Sequence, residues 1–227
     1  MSDVIYVSKR VSEIFPDQWY ALAQEDHFWM QWRLDVLLNV SLAVSIDTTE
    51  ELHGLEIGCG DGILRKQLEA KTSWVIDGAD INLDALKRDA SRKGQTLFYD
   101  IFDRNPLYRE RYDFIILFDV LEHITDESSF INVVLFHLKK GGRLFINVPA
   151  LNQFHSTYDQ AVGHIRRYDT SMMMRTLKRP DLTVIDMRYW GFVLLPLLAL
   201  RKMLENKNKP STQIIQEGFK PPHQGFN

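Results

Sequence analysis

Between residues 12 and 45 apolar side chains recur at three- and four-residue steps, with Trp19, Leu22, Phe28, Trp32, Val36, Leu37 and Val40 marking the stripe. That period belongs to an amphipathic helix, so the chain is expected to enter its domain through a helical extension. From residue 52 the pattern changes. Short continuous apolar runs at 52–57, 74–79, 96–99, 114–118 and 144–148 read as strands covered on both faces, the form parallel sheets take. Amphipathic stretches at 63–70, 83–91 and 130–138 lie between them and read as helices. Strand and helix in alternation predict an α/β fold: a Rossmann-like, doubly wound, mostly parallel sheet with helices on both faces. Its crossovers should be right-handed, and a ligand should lie beyond the carboxyl ends of the strands, where the strand order reverses.

After Pro149 the alternation lapses into a polar stretch carrying histidines and aromatics up to Asp169. A short helix near 171–178 and a strand near 182–189 are expected next. The tail from Glu205 holds Asn206, Lys207, Asn208, Lys209, Pro210 and the pair Pro221-Pro222, a composition expected of an extended or partly disordered arm. The chain thus divides into a helical extension and lid (1–47), a core (48–190) and an apolar segment with a polar tail (191–227).

Composition narrows the function classes. The chain has 227 residues, 45% of them hydrophobic, which suits one compact domain with appendages. Its 27 Lys plus Arg against 30 Asp plus Glu leave a formal charge of −3, with no basic surplus for gripping phosphate backbones, so a nucleic-acid partner is not expected. The single cysteine, Cys59, cannot form an internal disulfide, and residues 1–4 show no basic region leading into an apolar core, so a cytoplasmic setting is expected. The longest apolar run, 191–200, is about half of the roughly 20 residues that span a bilayer, and Pro196 interrupts it. Followed by Arg201 and Lys202, it has the order of a segment lying at a membrane surface, giving a peripheral contact through 191–202. Burial in the domain or in a dimer interface accounts for it as well and is the preferred reading; the oligomeric state is open.

The densest chemical signal is Leu55-Glu56-Ile57-Gly58-Cys59-Gly60-Asp61-Gly62, an apolar strand running into three alternate glycines and then a helix. Such a turn lets a ligand approach bare backbone. It departs from the dinucleotide fingerprint, which needs glycine where Ile63 stands. The stretch resembles the first motif of class I S-adenosylmethionine-dependent methyltransferases, E/D-x-G-x-G-x-G. Further blocks extend the resemblance: Asp80-Ile81 at the end of the second apolar run, Phe98-Tyr99-Asp100-Ile101 at the end of the third, Tyr112 to Ile124 across the fourth, and Leu138 to Ile146 across the fifth. Together they are similar to the type that includes the ubiquinone-biosynthesis enzymes. In the flanks, Glu25-Asp26-His27-Phe28-Trp29 with Arg33, and the D-x-x-x-G-H-x-R-R-Y segment ending at Tyr168, resemble elements of many bacterial members.

The resemblance implies S-adenosyl-L-methionine as cofactor and S-adenosyl-L-homocysteine as product. Glu56, Gly58, Cys59, Gly60 and Gly62 would hold the cofactor's amino-acid moiety, Asp80 the ribose hydroxyls, Ile81 one adenine face, Asp100 and Ile101 the adenine edge, and Phe118, Asp119 and Val120 the methionine end. Asp77 competes with Asp80, and Asp103 with Asp100. Asn82 fits as the cap of the next helix, Asp113 as an anchor at the strand's start, and Gly141-Gly142 as a helix C-cap and turn.

Transfer from a sulfonium is an in-line displacement, so the protein must align acceptor, methyl and sulfur and exclude water. An acceptor hydroxyl or amine must also lose a proton. His164 and His123 are the candidate bases, His164 ahead, with Asp159 to orient one of them. Trp29, Arg33, Arg166, Arg167 and Tyr168 are candidate acceptor contacts. The two adjacent arginines suggest an anionic acceptor, an internal salt bridge being the alternative. No histidine and carboxylate grouping shows metal-ligand spacing, so metal independence is expected. The leading expectation is methyl transfer to oxygen or nitrogen of a small, lipid-linked or sugar-linked molecule. The alternatives are a protein or nucleic-acid methyltransferase, against which the Asp119-Val120-Leu121-Glu122 block lacks an Asn-Pro-Pro-Tyr signature, and a non-catalytic cofactor-binding scaffold.

Overall fold

The computed structural model describes residues 3–9, 25–89, 93–203 and 210–214. In chain order its elements are β1 (Val4–Tyr6), α1 (Phe28–Ala43), β2 (His53–Ile57), α2 (Ile63–Lys71), β3 (Val75–Asp80), α3 (Leu83–Leu86), β4 (Thr96–Phe98), β5 (Tyr112–Phe118), α4 (Glu127–His137), β6 (Leu138–Asn147), α5 (Thr157–Val162), α6 (Thr170–Thr176) and α7 (Leu195–Met203). The six strands form one sheet in the order β1-β4-β3-β2-β5-β6, and each pairing is parallel. The order runs one way from β2 through β3 to β4 and the other way from β2 to β5, so the switch point lies between β2 and β5.

Alternation along the strands builds the two faces. Leu55 and Ile57 of β2, Leu97 of β4, and Ile115 and Leu117 of β5 meet Phe130, Ile131, Val133 and Val134 of α4 on one side. Ile76, Phe114 and Ile116 meet Leu34 and Leu37 of α1, Leu64 and Leu68 of α2, and Trp74 on the other. The result is a three-layer sandwich whose central strands are largely apolar because both faces are covered. Asn82 caps α3, its Oδ1 accepting from the amides of Asp84 and Ala85. Asp113 anchors the start of β5, accepting from the His53 amide at 3.0 Å and from Lys139 Nζ at 2.7 Å.

The doubly wound arrangement and the strands and helices expected between 52 and 138 are present, most ends moved by up to three residues; the helix expected over 83–91 ends at Leu86, residues 87–89 being non-helical and 90–91 lying outside the described residues. Elsewhere the structure corrects the pattern reading. The extension at 1–47 is not helical alone, since β1 pairs with β4 and belongs to the core sheet. Three residues are too few to show a period, and the helix expected over 12–45 is seen at Phe28–Ala43, residues 10–24 lying outside the described residues. Gly141-Gly142 is not the helix C-cap: α4 ends when Leu138 turns extended, and the glycine pair sits inside β6, where the register against β5 shifts. Gly141, at φ 77°, supplies the left-handed residue this irregularity needs. Residues 182–189 form no strand and run as irregular chain. The apolar segment is not fully buried within the domain: Phe192, Val193, Leu197, Leu200 and Met203 are exposed on the single chain. No helix among the described residues is long and apolar enough to cross a membrane. Of the tail from 205, only 210–214 is described.

Candidate active site

The turn between β2 and α2 carries Gly58, Gly60 and Gly62, all with positive φ. At Gly58 a Cβ would stand 2.5 Å from Val120 Cγ2, and at Gly62 2.1 Å from Asp89 Oδ1, so conformation and close approach both demand glycine. The Gly60 amide donates to Asp80 Oδ2 at 2.7 Å, and the Asn82 amide to Asp80 Oδ1 at 2.7 Å. Asp80 is therefore fixed at the end of β3 with its carboxylate beside the glycine turn. Burial raises its pKa, opposed by the amides of Asn82 and Gly60. Asp77 faces away into the sheet, accepting from Tyr112 Oη at 2.9 Å and from the Gln95 amide at 2.8 Å. Burial also pushes the Cys59 thiol well up, leaving it an apolar wall rather than a nucleophile.

Glu56 lies beneath the turn, and its Oε2 has no hydrogen-bond partner among the described residues. Burial lifts its pKa to about 8, against the pull of Arg33 and Arg65. Arg33 reaches in from α1. Its Nη1 donates to Asp119 Oδ2 at 2.8 Å, and its guanidinium lies 5.5 Å from the centre of the Phe118 ring. Asp119 adopts φ 58°, unusual for a non-glycine residue and a mark of a site held against its local preference. Its amide donates to Asn147 O at 3.0 Å, and Asn147 Nδ2 donates back to Asp119 Oδ1 at 2.9 Å. The loop after β5 is thus clamped by β6 and α1.

One turn further, Glu122 is completely buried, and neither carboxylate oxygen has a hydrogen-bond partner among the described residues. Burial first, and the neighbouring Asp119 second, push its pKa well up. His164 Nε2 stands 3.7 Å from Glu122 Oε1, while His164 Nδ1 lies 2.9 Å from Asp159 Oδ1. Asp159 is buried and further accepts from Arg167 Nε at 2.8 Å, Ser156 Oγ at 2.8 Å and the Ser156 amide at 2.9 Å. Burial alone would raise its pKa, but these donors outweigh burial and hold the carboxyl well below its usual range. The His123 ring meets the His164 ring edge-on at 5.0 Å, and its Nδ1 lies 3.0 Å from Gly163 O. Burial and the adjacent His164 lower the His123 pKa to about 4, so it is neutral at pH 7. Glu122, His123 and His164 each offer a ligand atom within 4.8 Å of the others, a grouping that linear spacing hid because His164 arrives from a separate segment.

Arg33, Glu56, Asp80, Asp119, Glu122, His123 and His164 border one open cavity of about 1950 Å³, which runs from the carboxyl ends of the strands along β6 as far as Leu138. Ile81, Phe118 and Val120 line it, and so does Trp29, which stacks on Trp190 with ring centres 4.4 Å apart. Trp190 Nε1 donates to Asn147 Oδ1 at 2.8 Å. The sequence pattern singles out neither Trp190, which directly follows the expected 182–189 strand, nor Glu122, which sits inside a block read for its neighbours.

Other expected site residues lie off the cavity or, as with Arg167 and Tyr168, border it with their polar groups committed to other partners. Asp100 and Ile101 do not border the cavity; the Asp100 carboxylate accepts from the Phe102 amide at 3.0 Å and caps the turn after β4. Gly62 is the N-cap of α2, behind the wall. Arg166 turns away, donating to Ile124 O at 2.7 Å and pairing with Glu127 at 3.1 Å. Arg167 borders the cavity, but its Nε is committed to Asp159 and its Nη1 lies 3.3 Å from Ala150 O. The Tyr168 hydroxyl donates inward, with Leu121 O at 3.1 Å and Glu127 Oε1 at 2.7 Å. The paired arginines are internal struts, as the alternative reading had them.

The parallel sheet, its switch point and the glycine turn with an acidic residue at the end of the next strand define a nucleoside-cofactor fold of the methyltransferase kind. Residues 23–187 match the family model described as a methyltransferase domain, so the chain belongs to that family, whose cofactor is S-adenosylmethionine. It is 31% identical over 107 residues to a ubiquinone biosynthesis O-methyltransferase of Bartonella tribocorum, a match covering 45% of this chain and 43% of that protein. The chain thus matches less than half of that relative's length. Among solved structures it is similar to the phosphoethanolamine N-methyltransferase 2 of Haemonchus contortus in complex with S-adenosyl-L-methionine, with TM-score 0.58, 13% identity, and coverage of 89% of this chain and 51% of that one. It is also similar to the 4+2 cyclase SpnF, with TM-score 0.53, 16% identity, and coverage of 69% and 60%. The likeness to a cyclase shows that the fold by itself leaves the chemistry open.

Proposed function

We propose that this protein transfers the methyl group of S-adenosylmethionine to an oxygen or nitrogen of a small, largely apolar acceptor, of the lipid-linked or sugar-linked kind. The observation that carries this reading is one continuous cavity joining the glycine turn and Asp80 to the Glu122, His123 and His164 cluster. Beyond the glycine turn the cavity continues past this cluster to Trp29 and Trp190, the side on which an acceptor would sit. Asp80 takes the ribose hydroxyls. Gly58 and Gly60 lie along the amino-acid moiety, and Arg33 faces its carboxylate. Trp29 and Trp190 form an apolar wall for the acceptor, supported by the ubiquinone-type relatives.

In the reaction a carbon–oxygen or carbon–nitrogen bond forms as the carbon–sulfur bond breaks, and its electron pair stays on sulfur. The acceptor's proton leaves at the cluster, where Asp159 holds the His164 ring in one orientation. The exposed apolar side chains of 192–203 rest this mouth of the cavity on a membrane surface, from which a lipid-linked acceptor enters.

Calorimetric titration tests the cofactor assignment. S-adenosylmethionine and S-adenosylhomocysteine should bind, NAD should not, and Asp80→Ala should lose at least tenfold in affinity. Acceptors are then screened with labelled methyl groups and vesicles. Binding without transfer to any small molecule would sink the acceptor assignment and leave the cofactor assignment standing.

A further inference from the structure

We infer that Glu122, His123 and His164 form a binding site for a divalent transition-metal cation, opening on the acceptor half of the cavity. Three observations carry it. First, the three residues come from two segments, yet their ligand atoms lie within 4.8 Å of one another, close enough to contract around one ion. Second, Glu122 is completely buried with both carboxylate oxygens lacking a hydrogen-bond partner among the described residues. A buried carboxylate is ordinarily paired, hydrogen-bonded or bound to a metal. Here the nearest cationic candidate is His164 Nε2, at 3.7 Å, beyond hydrogen-bond reach. Third, each imidazole is fixed through its other nitrogen. His164 Nδ1 meets Asp159 Oδ1 at 2.9 Å and His123 Nδ1 meets Gly163 O at 3.0 Å. Both partners are acceptors, so each Nδ1 carries the proton, and coordination that keeps those bonds runs through Nε2.

A carboxylate or backbone carbonyl on the far nitrogen is the arrangement that orients metal-binding histidines. Asp159 is itself held by Arg167 and Ser156, so the support is rigid. Two imidazoles and one carboxylate suit zinc, manganese or iron(II) better than magnesium or calcium, which prefer all-oxygen shells. The inference reverses the expectation of metal independence, which rested on linear spacing. It relies on the proposed function only for the ion's use: a cation there would supply a Lewis acid that makes an acceptor hydroxyl easier to deprotonate, with His164 a ligand instead of the base.

The test uses the full chain, stripped with a chelator and titrated with cobalt(II), whose visible absorption reports coordination, then with zinc as competitor. One cobalt per chain is expected, displaced by zinc. Glu122→Gln and His164→Ala should each weaken binding at least about 100-fold, and Asp159→Asn, acting through the second shell, about 10–100-fold. His53→Ala, which alters an exposed histidine at the opposite ends of the strands, should change nothing. Retained S-adenosylmethionine binding shows that each variant's cofactor pocket is folded. No stoichiometric cobalt, or cobalt binding lost in His53→Ala and kept in Glu122→Gln, overturns the site. Methyl transfer by protein that binds no metal would also overturn it while leaving the methyltransferase reading intact. Metal binding without transfer would do the reverse.

Discussion

Glu56 is a carboxyl almost withdrawn from water, 5% exposed at the cavity wall. Its pKa is about 8 in the folded chain against an ordinary value of 4.5, so at pH 7 the folded protein holds a proton that the unfolded chain has released. Stability linked to this group is therefore full below about pH 4.5 and is lost as pH rises toward 8. Glu56→Gln removes the dependence. Thermal unfolding of ligand-free protein should show the variant gaining on the parent between pH 5 and pH 8, by an amount on the order of a few kcal/mol. A gain independent of pH would show that Glu56 is ionised in the fold. Asp159 has the opposite sign. Its contribution is present above about pH 4 and fades below, because its donors favour the charged form. Asp159→Asn leaves the buried Arg167 without its counter-ion and should cost about 3–5 kcal/mol at pH 7 by urea unfolding, with the penalty shrinking in acid. At this scale the sequence is legible where chemistry is local. Three glycines and an acidic residue at a strand end announce a turn, because only glycine fits its backbone and each contact spans few residues. Glu122 and Trp190 stayed hidden because their partners, His164 in one case and Trp29 and Asn147 in the other, lie 42 or more residues away in sequence.

Among the elements, α2 and the β3–β4 edge are joined by a buried ion pair. Arg65 Nη1 lies 2.6 Å from Asp89 Oδ2, both side chains being fully buried, and Arg65 Nε donates to Ile76 O at 2.9 Å. Thr96 Oγ1 donates to the same carboxylate at 2.7 Å. Arg65→Met alone strands Asp89 and should cost about 3–5 kcal/mol, whereas Arg65→Met with Asp89→Leu should recover most of it. A double-variant cycle by chemical denaturation reads the coupling, and additive losses would show that the two do not act as a pair. Asn82→Ala removes the cap of α3 and should cost about 1 kcal/mol. Strands and helices between 52 and 138 could be read from the chain because both faces of the sheet are covered, which makes the strands largely apolar. The 182–189 run carries Leu182, Val184, Ile185 and Met187 among polar residues yet forms no strand, since apolar character permits pairing without supplying a partner.

For the molecule as a whole, the cavity couples cofactor to stability. If S-adenosylmethionine binds the folded chain alone, a concentration 100 times Kd adds about 2.7 kcal/mol. At roughly 2–4 °C per kcal/mol for a domain of this size, Tm should rise roughly 5–10 °C. NAD should leave Tm unmoved, and Asp80→Ala should abolish the shift in a calorimetric scan. An equal shift with NAD would place the cofactor specificity outside the glycine turn and Asp80.

The edge strand β1 also sets a clock. The Asp100 amide, next to the β1–β4 pairing, donates at 2.9 Å to the hydroxyl oxygen of Ser8, a residue translated 92 positions earlier. At about 5–20 residues per second, β1 is out of the ribosome for roughly 5–20 s before β4 exists to receive it. Throughout that interval Val4, Ile5 and Tyr6 are a solvent-exposed apolar peptide, accessible to chaperones, while β2 and β3, whose partners are close in sequence, can already associate. Among the described strands β1 waits longest for its neighbour.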